Sequence, residues 1–387
     1  MRATIQNFLN QYDFDVRKSG DCRFVDQKCT PDIVCFIADC VINLIATKPT
    51  FTITYLWNTQ YFIQNTRVIF NKPWANDEKA KNEYNKVLCQ PLKALAYAKI
   101  LNVEKVGNTL TFSVNNEELL EWIARRDRNA YVFLYEFYTK VLRDSGFMKY
   151  LEGYKTGTMT KREVYDRYIR FVRGNTPTHS ELDIKRMFHK VFNIYAAEHG
   201  LIGSSGKSPR LYSDLMYNRV NWRDIDKDKT QTRQEAENIE EKERREVLNN
   251  YYVQKAIALI RKIQHVSEVH DKWGQDTATQ VHHIFPKSKF PQIAHYIENL
   301  ILLTATQHFT KAHPNNNTQE IDPDYQLVCL LAKADTINKS LRAIGEKYYR
   351  KESFVYVINT GLETDVKTSL SFSEIKEFLI HHYNGRA

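Results

Sequence analysis

One segment, residues 280–313, constrains the fold more than any other part of this chain. It opens with the paired imidazoles of His282 and His283, followed by a proline-containing turn, which is the pattern of a short strand that ends in a turn. Neighbouring residues of a strand point to opposite faces, so the two rings are expected to do different jobs. Asn299 then precedes an apolar run typical of a buried strand, and a threonine after that run can cap a helix that carries His308. The segment therefore predicts a strand, a loop, a second strand and a helix, in that order.

This ordered pattern of His-His, Asn and His resembles the ββα-metal (HNH) nuclease family. The resemblance implies that His282 and His308 bind a metal, that His283 is the general base, and that Asn299 braces the loop and fixes the base. It also implies one divalent ion per site, which we expect to be Mg²⁺. Such an ion stabilises charge on the phosphate and on the leaving oxygen, while a neutral imidazole takes a proton from water.

The segment departs from the family pattern at two places. Many members hold the module together with four zinc-binding cysteines, but here Thr304 and Gln307 occupy the matching downstream positions and the chain has no Cys-x-x-Cys pair. We therefore expect no structural zinc, and apolar packing has to hold the module. Some members also bind the metal through a His four residues after the helix His. That position is Ala312, and His313, one residue further on, is a less favourable third ligand because an α-helix turns it away from the His308 face.

Several cations are placed to meet the phosphates of a nucleic acid. Lys311 is expected beside the scissile phosphate, and Lys287 and Lys289 beside it or beside flanking phosphates. The other expected DNA contacts lie in basic, glycine-containing or mixed aromatic and basic stretches that are also compatible with plain surface loops: Arg17, Lys18, Arg23, Lys207, Arg210, Arg219, Trp222 and Arg223.

Composition supports a polyanionic partner. The formal charge is +9 and the sequence pI is about 9.0, which suits phosphate neutralisation. The six cysteines match no zinc-finger spacing, which favours free thiols in a reducing compartment. No signal-peptide core and no bilayer-length apolar run occurs in the sequence, so we expect a bacterial cytoplasmic protein.

At 387 residues the chain is expected to form two or three domains of the α+β class, mainly helical. We place a winged-helix-like DNA-recognition domain at 1–125, a helical DNA-binding or connecting region at 126–245, and the HNH nuclease domain at 246–387. In the last of these, the apolar run Phe354–Ile358 is expected to be a buried strand.

The winged-helix expectation rests on residues 85–115. Gln90-Pro91 is expected to begin a helix, and two strand-like runs around Gly107-Asn108 then predict a hairpin. Helices followed by a hairpin wing resemble the winged helix-turn-helix module, which places a helix in the major groove. A small helix-hairpin core without any ligand is the alternative.

The layout of a DNA-reading half and a C-terminal HNH module resembles bacterial type II restriction endonucleases. The resemblance implies a sequence-specific double-strand DNA endonuclease that leaves 5′-phosphate and 3′-hydroxyl ends. One active site per chain favours a symmetric homodimer on a palindromic site.

Three alternatives remain open. One is a modification-dependent restriction enzyme that holds a methylated base in an aromatic pocket, and another is a non-catalytic DNA-binding protein. The third is a site of two acids and a lysine, drawn from Asp21, Asp26 and Lys28. It is disfavoured because such acids are expected on core strands, whereas these flank a basic, glycine-containing stretch.

Overall fold

The structure is a computed structural model, and it describes residues 1–70, 75–76, 81–217, 250–312, 322–345 and 347–385. The chain divides into two compact units, Met1–Lys227 and Asp228–Ala387. Both are mainly helical with small antiparallel sheets, which confirms the predicted α+β class. In the part of the chain that the structure describes, no helix combines the length and the apolar character needed to cross a bilayer. The finer division of the first unit at residue 125 stays a prediction.

The first unit is built around one buried helix. Its elements in chain order are α1 (Arg2–Leu9), α2 (Val16–Ser19), α3 (Pro31–Ile45), β1 (Thr50–Thr52), α4 (Ile53–Trp57), α5 (Gln60–Phe70), α6 (Lys81–Tyr97), β2 (Leu101–Val106), β3 (Thr109–Val114), α7 (Glu117–Arg125), α8 (Asp127–Asp144), α9 (Met148–Lys155), α10 (Lys161–Asn175) and α11 (Glu181–Glu198). Thr30 precedes α3 and Pro31 is its first residue, in good order for a helix start. Most residues of α3 are buried, and α6, α7 and α8 all pack against it.

The hairpin predicted around Gly107-Asn108 is present. Strands β2 and β3 pair from Leu101↔Val114 to Val106↔Thr109, and β1 adds to the other edge of β3, so the sheet order is β1-β3-β2. Gly107 has a φ of +61°, a left-handed conformation that glycine adopts without steric cost.

The expectation that a helix begins at Gln90-Pro91 is wrong, because Pro91 lies inside α6. An interior proline costs about 3 kcal/mol of helix stability. The turns before it nevertheless bury Tyr84, Val87 and Leu88, and this packing extends the helix upstream of the proline.

The second unit surrounds a two-stranded sheet with helices. Its elements are α12 (described over residues 250–263), β4 (Ala278–His283), β5 (Leu300–Thr304), α13 (Pro323–Arg342), α14 (Lys351–Leu362) and α15 (Phe372–Asn384). All five residues of β5 are buried, and one apolar core joins this strand to residues of all four helices.

The predicted strand Phe354–Ile358 is wrong, because these residues form the middle of α14. Phe354, Val355, Val357, Ile358 and Leu362 are buried, whereas Tyr356 is exposed, so the buried set follows one side of a helix. A short apolar run does not by itself distinguish a strand from a buried helix segment.

Candidate functional site

The two strands of the second unit bring the paired histidines to one end of a hairpin. His282 lies opposite Ile301 and His283 opposite Leu300 in the antiparallel register. His282 is 3% exposed, whereas His283 is only partly buried. The two rings therefore occupy different environments, as the alternation of strand side chains predicts.

His308 lies close to His282. After β5, the Thr304 hydroxyl accepts a hydrogen bond from the Gln307 backbone N–H at 3.2 Å, which fixes the start of a π-helical turn, Gln307–Ala312. The sequence predicts a helix here with threonine as its cap, and the turn is wound more widely than an α-helix. The centroids of the His282 and His308 rings are 5.3 Å apart, with an angle of 77° between the ring planes.

This ring separation suits two imidazoles that share one cation. A metal–nitrogen bond of about 2.1 Å plus roughly 1.1 Å from nitrogen to ring centre puts each centroid about 3.2 Å from the metal. Two such rings would have centroids about 4.5 Å apart at the 90° ligand angle of an octahedral ion and about 5.2 Å apart at the 109° angle of a tetrahedral ion. The separation of 5.3 Å in this structure is within about 1 Å of both values, so the distance between the rings is compatible with one divalent ion held by two protein nitrogens.

His283 is oriented by a backbone carbonyl. Its Nε2 is 3.1 Å from the Ala294 oxygen, and because a carbonyl only accepts, Nε2 must carry the hydrogen. In the neutral ring, Nδ1 then keeps the lone pair that can take a proton. Burial lowers the pKa of His283, an effect that the Ala294 hydrogen bond opposes and the nearby Lys287 reinforces. The ring is therefore held in one tautomer and kept neutral near pH 7.

Asn299 fixes the loop that supplies this carbonyl. The side chain is fully buried, and its Oδ1 accepts from the Phe285 N–H at 2.8 Å. Its Nδ2 donates to the oxygens of Phe285 at 3.1 Å and Ile293 at 3.3 Å. Because Ile293 directly precedes Ala294, one amide side chain determines where the acceptor for His283 lies.

A hydrogen-bonded cluster occupies the end of the hairpin where the family pattern has cysteines. The buried Gln307 accepts through Oε1 from the Ser267 hydroxyl at 2.6 Å and from the Thr304 N–H at 3.0 Å. Its Nε2 donates to the Val269 oxygen at 2.9 Å and to Asp271 Oδ1 at 2.8 Å. The Gln307 side chain thus bonds through both its oxygen and its nitrogen. These hydrogen bonds connect the residue directly before His308 to residues 267–271, which precede β4 in the chain.

A buried ion pair supports β5 from the other side. The Lys333 ammonium lies 2.9 Å from Glu268 Oε2, and Glu268 Oε1 accepts from the Leu302 N–H at 3.0 Å. Tyr349 accepts a further hydrogen bond from Lys333 at 3.2 Å. Sequence reasoning missed these residues and the Ala294 carbonyl, because Lys333 lies within an apolar helix pattern and a backbone carbonyl has no residue signature.

The predicted lysines of the second unit differ in their surroundings. The Lys311 ammonium lies 5.5 Å from the centre of the Trp273 ring, so an aromatic face already accommodates its charge. Lys287 donates to the Asn250 side chain, and Lys289 is exposed. His313 lies outside the described residues, and its role as a third ligand stays a prediction.

The cations predicted at the N-terminal arm each have an acidic partner nearby. The ion pairs join Arg17 to Asp15 at 2.7 Å, Lys18 to Asp13 at 2.5 Å and Arg23 to Asp26 at 2.8 Å. Local carboxylates therefore balance the charge that was expected to attract DNA.

The remaining predicted DNA contacts fall in and after the loop that follows α11. Arg210 donates to the Ser205 hydroxyl at 2.9 Å and faces Asp214 at 3.7 Å, whereas Lys207 is exposed. Arg219, Trp222 and Arg223 lie outside the described residues.

The rival site of two acids and a lysine is not assembled in the described structure. Asp21 and Asp26 lie in irregular segments beside turns, not on strands, and Asp26 pairs with Arg23. The Lys28 ammonium instead contacts Glu83 and the Tyr217 hydroxyl.

Among the described residues, His282 and His308 are the two expected ligands that the structure brings together. Over these residues, no group of three or more His, Cys, Asp or Glu side chains converges in a way that would hold a metal ion. A site with two protein nitrogens leaves its other positions to water and substrate oxygens, as a catalytic site requires. Comparisons of the chain with models of protein families, with curated proteins and with solved structures found no match.

Proposed function

We propose that this protein is a metal-dependent endonuclease of the HNH type that hydrolyses phosphodiester bonds in double-stranded DNA. One observation carries the proposal. The His282 and His308 rings lie 5.3 Å apart, and the next residue on the strand, His283, is held by the Ala294 carbonyl in the tautomer that a general base needs.

Residues of the chain are proposed to accept a proton from the attacking water and to position the phosphate. Nδ1 of His283 accepts a proton from the attacking water, whose oxygen forms the new bond to phosphorus as the bond to the 3′ oxygen breaks. The leaving 3′ oxygen takes a proton from solvent, and His283 later returns its proton to solvent, so the products are a 5′-phosphate and a 3′-hydroxyl. Lys311, Lys287 and Lys289 are proposed to hold phosphate oxygens as point charges.

His282 and His308 would hold the cation. When bound, it supplies charge stabilisation on a phosphate oxygen and on the leaving oxygen. Mg²⁺ is our first expectation, with water and phosphate completing its octahedral shell, and Mn²⁺ suits the same mixed nitrogen and oxygen donors. We propose no structural zinc, because hydrogen bonds through Thr304 and Gln307 connect the elements that a zinc site would join.

The first unit is proposed to supply sequence recognition, as in a type II restriction enzyme. Helices α4 to α6 are followed by the hairpin of β2 and β3. The sheet order β1-β3-β2 places β1, which precedes these helices, beside β3, which follows them. This order is compatible with a winged-helix module. A homodimer of the chain would then cut both strands of a palindromic site.

The function is tested by incubating the full chain with plasmid DNA and Mg²⁺ or Mn²⁺. We expect double-strand cuts by the wild type and none by His283→Ala, while DNA binding by the variant survives. His270→Ala, which removes an exposed histidine of the same unit, is the matched control and should cut normally.

Other outcomes of this experiment distinguish the alternatives. Cleavage of methylated plasmid alone would indicate a modification-dependent enzyme, and binding without cleavage under any divalent ion would indicate a non-catalytic protein. Cleavage by His283→Ala at the wild-type rate would overturn the base assignment.

A further inference from the structure

We infer that the loop at residues 203–210, together with helix α11, forms a binding site for a small phosphate-containing anion such as a phosphate monoester. Arg210 was expected from the sequence to contact DNA, whereas the surroundings of its side chain favour a smaller ligand. The site lies in the first unit, and it does not depend on the proposed nuclease chemistry.

The loop at residues 203–210 is held in place by α11 and by the first residue of α10. The Ser204 backbone N–H donates to the side-chain oxygen of Asn193 on α11 at 2.7 Å. The Lys161 ammonium donates to the Gly203 oxygen at 3.4 Å. The loop therefore has a defined position beside the face of α11 that carries Asn193.

Two buried polar atoms of this loop have no hydrogen-bond partner in the part of the chain that the structure describes. They are the Ser204 hydroxyl oxygen and the Arg210 Nε. A Cβ built on Gly203 would come within 2.9 Å of Arg210 Nε, so this nitrogen lies against the residue directly before Ser204. Buried polar groups are normally hydrogen-bonded, and an unpaired one costs free energy. Both atoms can donate to the oxygens of one bound anion.

The rest of the Arg210 guanidinium is oriented by the protein. Nη2 donates to the Ser205 hydroxyl at 2.9 Å, and Nη1 lies 3.7 Å from an Asp214 carboxylate oxygen. These contacts fix the plane of the group while the Nε–H keeps no protein acceptor. A guanidinium held in this way presents a fixed donor to a phosphate oxygen.

Several cations act on His189, which lies one helical turn before Asn193 on α11. They are Lys185 and Lys190 of the same helix, Lys161 of α10 and Arg210 of the loop. Burial lowers the pKa of His189, and the charges of these four residues lower it further. The surroundings of the loop thus disfavour another positive charge, and they favour a negative one for the same reason.

Acids offset only part of this charge. In the described structure, no carboxylate lies within ion-pairing distance of Lys161, Lys185 or Lys190. Asp214 faces Arg210, and the charge of Asp32 acts on Lys190. The positive charge that remains suits a phosphate monoester, which carries nearly two negative charges at pH 7.

Burial of the donors favours a small ligand over DNA. The Ser204 hydroxyl oxygen and the Arg210 Nε have almost no exposed surface. A small ion can enter between two loop residues, whereas the backbone of a rigid duplex lies on the protein surface. The ligand is therefore a free anion, and the exposed Lys207 of the same loop is not needed to hold it.

Titration of the His189 ring by NMR tests the site, with the full chain labelled at its histidine carbons and kept in EDTA. The His189 signal is identified as the one that His189→Gln loses. Sodium sulfate is the probe, because it is a tetrahedral dianion that keeps its charge while histidine titrates. Compared with sodium chloride at equal ionic strength, sulfate should raise the pKa of His189, since a bound anion offsets the neighbouring cations. Inorganic phosphate should act in the same way.

Ser204→Ala and Ser208→Ala form a matched pair. Both remove a hydroxyl from the same loop, but Ser208 is exposed, whereas the Ser204 hydroxyl is buried without a partner among the described residues. Ser204→Ala should weaken sulfate binding roughly 10-fold, the cost of one hydrogen bond to a charged group, and Ser208→Ala should bind like the wild type. Arg210→Lys, which keeps the charge and removes Nε, should also weaken binding. Equal sulfate affinity of the wild type and Ser204→Ala would contradict the inference.

Thermal melts distinguish a ligand site from a purely structural loop. Without the anion, Ser204→Ala should melt no lower than the wild type, because it removes an unsatisfied buried hydroxyl. With sulfate, the wild type should melt higher than the variant, since an anion that binds the folded chain stabilises it. An equally lower melting temperature of the variant under both conditions would assign the hydroxyl to the fold and overturn the inference.

A short DNA duplex in EDTA distinguishes a free anion from the DNA backbone. We expect the duplex to leave the pKa of His189 unchanged. A rise with the duplex and none with sulfate or phosphate would overturn the assignment to a small anion, and no rise with any of the three would overturn the site. None of these results depends on cleavage, so the anion site and the nuclease can fail separately.

Discussion

At the scale of single residues, the position of the proposed base, His283, depends on an asparagine whose side chain bonds other parts of the loop. Asn299 holds Phe285 and Ile293, and the peptide after Ile293 supplies the carbonyl that accepts from His283. The family resemblance implies that an Asn at this point braces the loop. It does not indicate which carbonyl the Asn positions, because that depends on the path of the intervening loop.

We predict that Asn299→Ala lowers the cleavage rate by about 100-fold, the cost expected when a catalytic group shifts by about 1 Å. Unsatisfied buried partners should also reduce the free energy of unfolding by about 1–3 kcal/mol. The rate should be measured at a temperature where circular dichroism shows the variant to be folded. Asn338→Ala, on the partly exposed surface of α13, serves as the control. Full activity of folded Asn299→Ala would contradict the positioning role.

The family resemblance also implied that His282 lies near His308, and the structure places the two rings together. The cluster around Gln307 could not be predicted in the same way. The sequence showed only that Thr304 and Gln307 stand where many members of the family have cysteines. The hydrogen-bond partners of Gln307, Ser267 and Val269, lie 40 and 38 residues earlier in the chain.

At the scale of elements, helix α14 supports the loop after β4 by close packing. A Cβ added to Gly361 would overlap the ring of Phe285, whose backbone Asn299 holds. The absence of a side chain at this position therefore lets the helix approach the loop. No pattern in the sequence indicates why a glycine is needed here, since the segment before it was interpreted as a strand.

Gly361→Ala should destabilise the second unit even though alanine favours helices. Overpacking costs about 1–3 kcal/mol, which is expected to exceed the helix-propensity gain of about 1 kcal/mol. Thermal melts of the full chain measure the effect. Gly174→Ala in α10 is the matched control, because a Cβ there meets no atom within 4 Å, and this change should not lower the melting temperature. A higher melting temperature for Gly361→Ala would contradict the packing.

The two errors in predicting elements have one cause. Pro91 was taken as a helix start and Phe354–Ile358 as a strand, because local rules were applied to short windows. In both places the burial of side chains over several helical turns decided the structure, and a window of five residues does not contain that information.

At the scale of the whole molecule, the formal charge of +9 is the property that bears most directly on the proposed DNA partner. Composition predicted that the partner carries negative charge. It did not predict which surface of the chain binds that partner, because many cations form ion pairs with nearby acids. Binding should weaken by about 1,000-fold or more between 50 and 200 mM salt if six or more phosphates are neutralised. Fluorescence anisotropy on a labelled duplex in EDTA measures this dependence, and a flat response would contradict a phosphate-dominated interface.

We propose that one cation binds between His282 and His308. Isothermal titration calorimetry of the full chain with Mn²⁺ measures this binding. We expect one ion per chain, with binding lost in His282→Ala and in His308→Ala and retained in His283→Ala. Equal Mn²⁺ binding by the wild type, His282→Ala and His308→Ala would contradict it.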